Sequence, residues 1–270
     1  MNYRETISLT FSDQGENNVG MQLVGNMVPI GQGFNIHNLQ KIQHKFVSLG
    51  LKTELHRLND LYNDSPPTDI TQEAHVLVVR NAIPLLLDKP KMNDNLLNEM
   101  ASLDWDNKYF CTRRKKVLNK HARTNLCFGN QAQEPNYSQK KGRIVDYQSV
   151  PILSQLLSVL PKFIGEKGTH LVCEGNRYYN LKKCGIGWHG DKERRKVIAF
   201  RLGHSMNLCY HWFFNHKPMG KMLKLNLNHG DMYIMSEKAV GTDWSKSSKF
   251  TLRHAAGIEG SKYLKLKLER

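Results

Sequence analysis

The sequence predicts an α+β chain with a mainly β core, and two observations carry that expectation. From residue 169 onward, short strand-like segments follow one another with little helix between them: "THLVCEGNRYYN", "GIGWHGD", "KVIAFRLG", "LCYHWFF", "MLKLNLN", "DMYIMSE", "FTLRHAA" and "SKYLKLKL". Strands of this length, separated by turns, read as a sandwich or barrel. Helical spacing of apolar residues is confined to the first part of the chain and to "VPILSQLLSVLPKFIG", which places the helices on the flanks of the β core.

Taken in order, "ETISLT" alternates like a strand, and "NIHNLQKIQHKFVSLGLKTELHRLNDLY" has helical periodicity that Gly50 divides into two helices. "NDSPPTD" (63–69) reads as a linker. It divides the chain into a small N-terminal module, 1–70, and a main domain, 71–270. "AHVLVVRNAI" then reads as a buried strand and "MNDNLLNEMASL" as a short helix.

The 270 residues carry 39 Lys and Arg against 24 Asp and Glu, a net charge of +15. A balance this basic points to a polyanionic partner, nucleic acid first. The charge concentrates in 108–147, where Arg113, Arg114, Lys115, Lys116 and Arg123 are interleaved with aromatic residues including Phe128 and Tyr137. Cations neutralise phosphates and rings stack on bases, so these seven are the candidate substrate-binding residues. An exposed basic hairpin without a partner has the same composition.

Five widely spaced cysteines form no CxxC pair, which speaks against a zinc ribbon or a disulfide framework. The N-terminal residues lack an apolar signal-peptide core, and no apolar run reaches membrane-spanning length. The expectation is an intracellular protein of the cytoplasm or nucleus, with no membrane partner.

Chemistry concentrates in "CGIGWHGDKE" (184–193). Residues i and i+2 of a strand point to one side, so His189 and Asp191 present an imidazole and a carboxylate together. A third metal ligand is sought among His204, His211, His216, His229 and His254. His229 precedes "GD" in a turn and is expected to face solvent. His204, His211 and His216 lie in the strand pair directly after the first ligands. His254 lies in a late strand beside Ala255, Ala256 and Gly257, with room for a metal, and is the choice. Two imidazoles and one carboxylate on one face match the non-haem Fe(II) oxygenase pattern. A zinc hydrolase with Glu193 as base is the rival.

These residues resemble a known family. "NRYYNLKKCGIGWHGD" (176–191) is similar to the Asn-x-Tyr … Ile-Gly-x-His-x-Asp signature of the AlkB-like 2-oxoglutarate/Fe(II)-dependent dioxygenases. "VIAFRLG", "LNLNHGDMYIMSEKA" and "RHAAG" resemble, in order, its Leu-Gly strand, its Gly-Asp strand and its distal histidine. The likeness runs from about residue 74 to the C-terminus, with "HVLVVRNAI" like the domain start and "ARTNLCFG" like the substrate-side region. It implies a double-stranded β-helix (jelly-roll) core, with iron on His189, Asp191 and His254. It also implies 2-oxoglutarate hydrogen-bonded by Asn176 and Tyr178. In such enzymes O2 and 2-oxoglutarate are consumed together, and succinate and CO2 are the co-products.

The distal carboxylate of 2-oxoglutarate needs a buried cation. In "KYLKLKL", read as a last strand, Lys262 shares its face with leucines and is the candidate, with Lys265 in reserve. Repair enzymes of the family carry two arginines six residues apart here, whereas this chain has Leu268 six beyond Lys262 and a terminal Arg270. The stretch "SEKAVGTDWSKSS" is longer than the family pattern and would bring Trp244 to the substrate side. The resulting expectation is an enzyme that demethylates or hydroxylates a nucleic-acid base. The alternatives are a protein side-chain hydroxylase with the same cofactors and a non-catalytic nucleic-acid-binding module.

Overall fold

A computed structural model describes residues 3–62 and 72–266; the expected linker, 63–69, and the end of the chain fall outside these. The first elements are strands β1 (Thr6–Ser12), β2 (Gln14–Glu16) and β3 (Leu23–Gly25), helix α1 (Ile36–Ser48), and strands β4 (Thr53–Arg57) and β5 (His75–Val79). Helices α2 (Ala82–Leu86) and α3 (Met92–Ala101) follow, then β6 (Lys108–Cys111), β7 (Lys116–Asn119), β8 (Thr124–Gly129), β9 (Ile144–Asp146) and α4 (Pro151–Ile164). The remainder is β10 (Val172–Tyr178), β11 (Ile186–His189), β12 (Val197–Gly203), β13 (Met206–Phe214), β14 (Lys217–Leu227), β15 (Met232–Met235), α5 (Glu237–Val240) and β16 (Thr251–Gly257).

Two sheets dominate, in the orders β4-β5-β15-β12-β1-β10-β8-β9 and β11-β16-β13-β14. One apolar cluster joins the outer face of the large sheet to α1 through α4, with Phe46, Leu96 and Leu156 among its helical members. A second cluster fills the space between the sheets, with Val76, Ala199 and Tyr233 from one and Trp212, Leu225 and Leu252 from the other. The α+β expectation with a mainly β core therefore holds. No helix among the described residues is long and apolar enough to cross a membrane. All five cysteines are free thiols.

The N-terminal segment is not an appended module. Strand β1 pairs along its whole length with β10, from Thr6–Tyr178 to Ser12–Val172, and with β12, from Thr6–Gly203 to Ser12–Val197. Its alternation explains this position. Ile7, Leu9 and Phe11 are fully buried in the helix-side core, while Thr6, Ser8, Thr10 and Ser12 are buried on the opposite face. Helix α1 likewise packs Leu39, Ile42 and Phe46 into that core, behind an Asn35–Asn38 capping box.

Two expectations for secondary structure fail. The helical stretch ends at Ser48, with Gly50 at φ +84° turning the chain, and the expected second helix is instead strand β4. Pairing with β5, from Thr53–Val79 to Arg57–His75, outweighs the helical pattern. The expected last strand is a 3-10 turn, Lys262–Leu264.

Phe11 packs edge-on against Phe200, ring centroids 5.7 Å apart. Phe11→Ala should therefore destabilise the protein by about 3–5 kcal/mol in denaturant titration. Deleting residues 1–12 should abolish cooperative unfolding; a folded remainder would show that the strand is an accessory.

Candidate metal centre

Strands β11 and β16 are neighbours in the small sheet, and His189 and His254 are registered partners there. Opposed residues of an antiparallel pair project to the same side, and the two imidazole centroids lie 4.4 Å apart. Asp191 follows the end of β11, its Oδ1 3.5 Å from His189 Nε2 and 3.8 Å from His254 Nε2. One ligand atom from each residue lies within 4.8 Å of the others.

The backbone orients the His189 ring, and burial governs His254. His189 Nδ1 faces the carbonyls of Gly187 at 2.8 Å and His254 at 3.1 Å. Carbonyls only accept, so Nδ1 donates there, and Nε2 is the ring nitrogen that faces Asp191. Burial pushes His254 well below the ordinary imidazole range, the charges of His189 and Arg194 add to this, and a backbone contact with Ala239 pulls weakly the other way. A neutral ring is what a metal needs.

Gly190 fixes where Asp191 goes. A Cβ at Gly190 would stand 2.1 Å from the Gly241 carbonyl oxygen, and the Asp191 N–H donates to Val240 at 3.0 Å. Behind Asp191, buried Arg194 is paired with Glu174 and with Glu193, the latter at 2.6 Å.

The three residues line a cavity of about 250 Å3 between the sheets, whose other wall includes Ser8, Thr10, Asn176, Tyr178, Arg201 and Tyr233. Asn176 Oδ1 accepts from Arg123 Nε at 2.6 Å and from Asn125, and its amide donates to Glu174 at 3.1 Å. Val19, Arg123, Lys192 and Trp244 also line the cavity, and Lys192 Nζ stands over the Trp244 ring at 5.5 Å.

Other expected residues lie elsewhere. Lys262 and Lys265 are exposed, and Lys262 Nζ rests over its neighbour Tyr263 rather than in the cavity. The alternation argument for Lys262 required a strand, and a 3-10 turn has no such faces. Phe128 is fully buried in the helix-side core, so it is not free to stack on a base. The Tyr137 hydroxyl donates to Asp106 at 2.8 Å, and the ring is half-buried away from the cavity. Arg113, Arg114, Lys115 and Lys116 are exposed around the β6–β7 turn. A Cβ at Gly20, next to the cavity-lining Val19, would stand 2.9 Å from the Cγ2 of neighbouring Thr112.

Among the rejected histidines, His211 is buried beside Trp188 and Phe213. His229 does not face solvent as expected: its Nδ1 accepts from the Gly203 N–H at 2.9 Å. Arg201 was missed, although "VIAFRLG" puts it on one strand face with Val197 and Ala199, a cation in an apolar row.

Replacing His189, Asp191 or His254 by Ala should each lower Fe(II) or Mn(II) affinity at least tenfold in anaerobic titration, whereas His229→Ala should leave it unchanged. Gly190→Ala should lower it comparably without touching a ligand. Retained affinity in the His254 variant would remove that residue from the set.

No family model matches the chain. It is similar to "Uncharacterized protein R156" of Acanthamoeba polyphaga mimivirus, 44% identical over 256 residues that span 95% of this chain and 97% of the relative. At that identity, over nearly the full length of both proteins, the chain belongs to the same family as mimivirus R156.

Proposed function

We propose that the protein is an AlkB-like Fe(II)/2-oxoglutarate-dependent dioxygenase that demethylates or hydroxylates a nucleic-acid base. The observation that carries this reading is the convergence of His189, Asp191 and His254 on a polar cavity between two sheets. Two imidazoles and a carboxylate on one side leave the cavity side open for a co-substrate. The rival zinc hydrolase would need Glu193 as base, and that carboxylate is engaged by Arg194.

The topology supports a double-stranded β-helix. From β10 to β16 the chain crosses between the sheets at every step but the β13–β14 hairpin, with β10, β12 and β15 in the large one and β11, β13, β14 and β16 in the small one. An eight-stranded jelly roll then needs one more strand in the large sheet. Strand β1, between β10 and β12, takes that place from the opposite end of the chain. This accounts for the lack of the family's late arginine pair.

Iron held by His189, Asp191 and His254 would supply oxidation of a C–H bond, coupled to decarboxylation of 2-oxoglutarate by O2. The chain's own residues bind and orient. Asn176, fixed by Arg123, Asn125 and Glu174, and Tyr178 offer hydrogen bonds to the co-substrate. The exposed cations of the β6–β7 turn engage phosphates. Trp244 takes the stacking role assigned from sequence to Phe128, on a base extruded toward the iron.

Anaerobic loading with Fe(II) and 2-oxoglutarate, then exposure to O2, should yield succinate. No succinate with any oligonucleotide or peptide would reject the enzyme reading. Changing Arg113, Arg114, Lys115 and Lys116 to Glu should abolish oligonucleotide binding at low salt and spare substrate-independent succinate formation. Trp244→Ala should cost about 1–3 kcal/mol of oligonucleotide binding. Unchanged binding in the charge-reversed protein would move the substrate from nucleic acid to protein.

A further inference from the structure

Arg201 is 1% exposed, yet no carboxylate stands within ion-pair distance of it among the described residues. Its Nη1 meets Met206 Sδ at 3.9 Å, and its buried Nε has no hydrogen-bond partner. Arg194, buried to a similar degree, is matched by Glu174 and Glu193. A bare buried cation is a costly arrangement, and proteins hold one where an anion completes it.

Its surroundings suit one kind of anion. Asn176 is registered against Ser8 and Ser8 against Arg201, so the three side chains form a row across β10, β1 and β12. All three line the cavity that His189, Asp191 and His254 line from the small sheet. Tyr178 and Tyr233 line the same wall, close enough for the Arg201 charge to act on their hydroxyls. One wall thus carries a metal-ligand set, and the other a desolvated guanidinium framed by hydroxyl groups. A molecule that spans both has a metal-chelating end and a carboxylate end.

We infer that Arg201 is the carboxylate clamp of this cavity. It binds the distal carboxylate of a dicarboxylic 2-oxo acid, and Ser8 of the N-terminal strand completes the hydrogen bonding. The inference rests on reading the cavity as the 2-oxoglutarate site. It places the cation on β12, in the middle of the chain, where the family pattern looks for it after the distal histidine. It also makes the site selective: 2-oxoglutarate satisfies the guanidinium, and pyruvate leaves it bare.

Full-length protein loaded with Mn(II) and titrated calorimetrically with 2-oxoglutarate and with pyruvate tests this without turnover. Wild type should bind 2-oxoglutarate far more tightly than pyruvate. Arg201→Met should weaken 2-oxoglutarate by roughly a hundredfold or more, as loss of a buried charge partner does. It should leave Mn(II) and pyruvate affinities unchanged. Ser8→Ala should weaken 2-oxoglutarate by a smaller factor, and Lys262→Met should have no effect. Without ligand, Arg201→Met should melt at the same temperature as wild type or higher, because an unpaired buried charge is replaced by an apolar chain of similar length. Equal 2-oxoglutarate affinity in wild type and Arg201→Met would overturn the clamp alone, and so would a large drop in the variant's melting temperature, the mark of a structural arginine. A wild type that takes up neither 2-oxo acid would overturn the functional reading and the clamp with it.

Discussion

The pairing of β1 with β10 on one edge and β12 on the other holds the large sheet together at its centre and shapes what lies on both faces of it. On the helix side Ile7, Leu9 and Phe11 supply full-sized apolar packing. On the other side the same strand presents only hydroxyl groups of small residues, Thr6, Ser8, Thr10 and Ser12. Larger side chains there would fill the space facing His189 and His254. Apolar core on one face and open polar volume on the other follow from one seven-residue alternation.

Electrostatics around the cavity follow the same economy of placement. Burial disfavours the charge on Arg194, but Glu174, Glu193 and Asp191 outweigh it and hold the guanidinium firmly protonated. Such a pair contributes little net stability once desolvation is counted. Its effect here is positional: it anchors the loop after β11 and sets a fixed positive charge 4.0 Å from Asp191 Oδ2. The contact of Gly190 with Gly241 does the same by sterics. Asp191 is therefore oriented from behind by charge and from the side by backbone.

Much of this was legible in the sequence because it depends on local pattern. The i, i+2 spacing of His189 and Asp191, and the small residues after His254, mark the three clustered side chains without any knowledge of topology. Strands β10 through β16 follow from short alternating runs. What could not be read depends on distant partners. "KTELHR" is helical by pattern, and only the edge of β5 makes it a strand. Lys262 looked like a buried cation on the assumption that "KYLKLKL" forms a strand, but Lys262–Leu264 is a 3-10 turn, which has no alternating faces. Phe128 and Tyr137 sit in a basic stretch, yet the core claims one ring and Asp106 engages the hydroxyl of the other. Sequence composition locates a basic region; it does not say which of its aromatics the interior will take.

Placing the first strand of the chain in the middle of the sheet also sets a timetable for biosynthesis. Thr6 hydrogen-bonds to the carbonyl of His204, 198 positions later. At about 5–20 residues per second of translation, the N-terminal strand waits roughly 10–40 s for its partner to be made. During that interval Ile7, Leu9 and Phe11 have no sheet to pack into, and both edges of the strand are open to other chains. Domains of such long-range pairing fold slowly. The nascent protein is thus a natural client for chaperones that shield short apolar strands, and its yield should depend more on how that early segment is protected than on the stability of the finished fold.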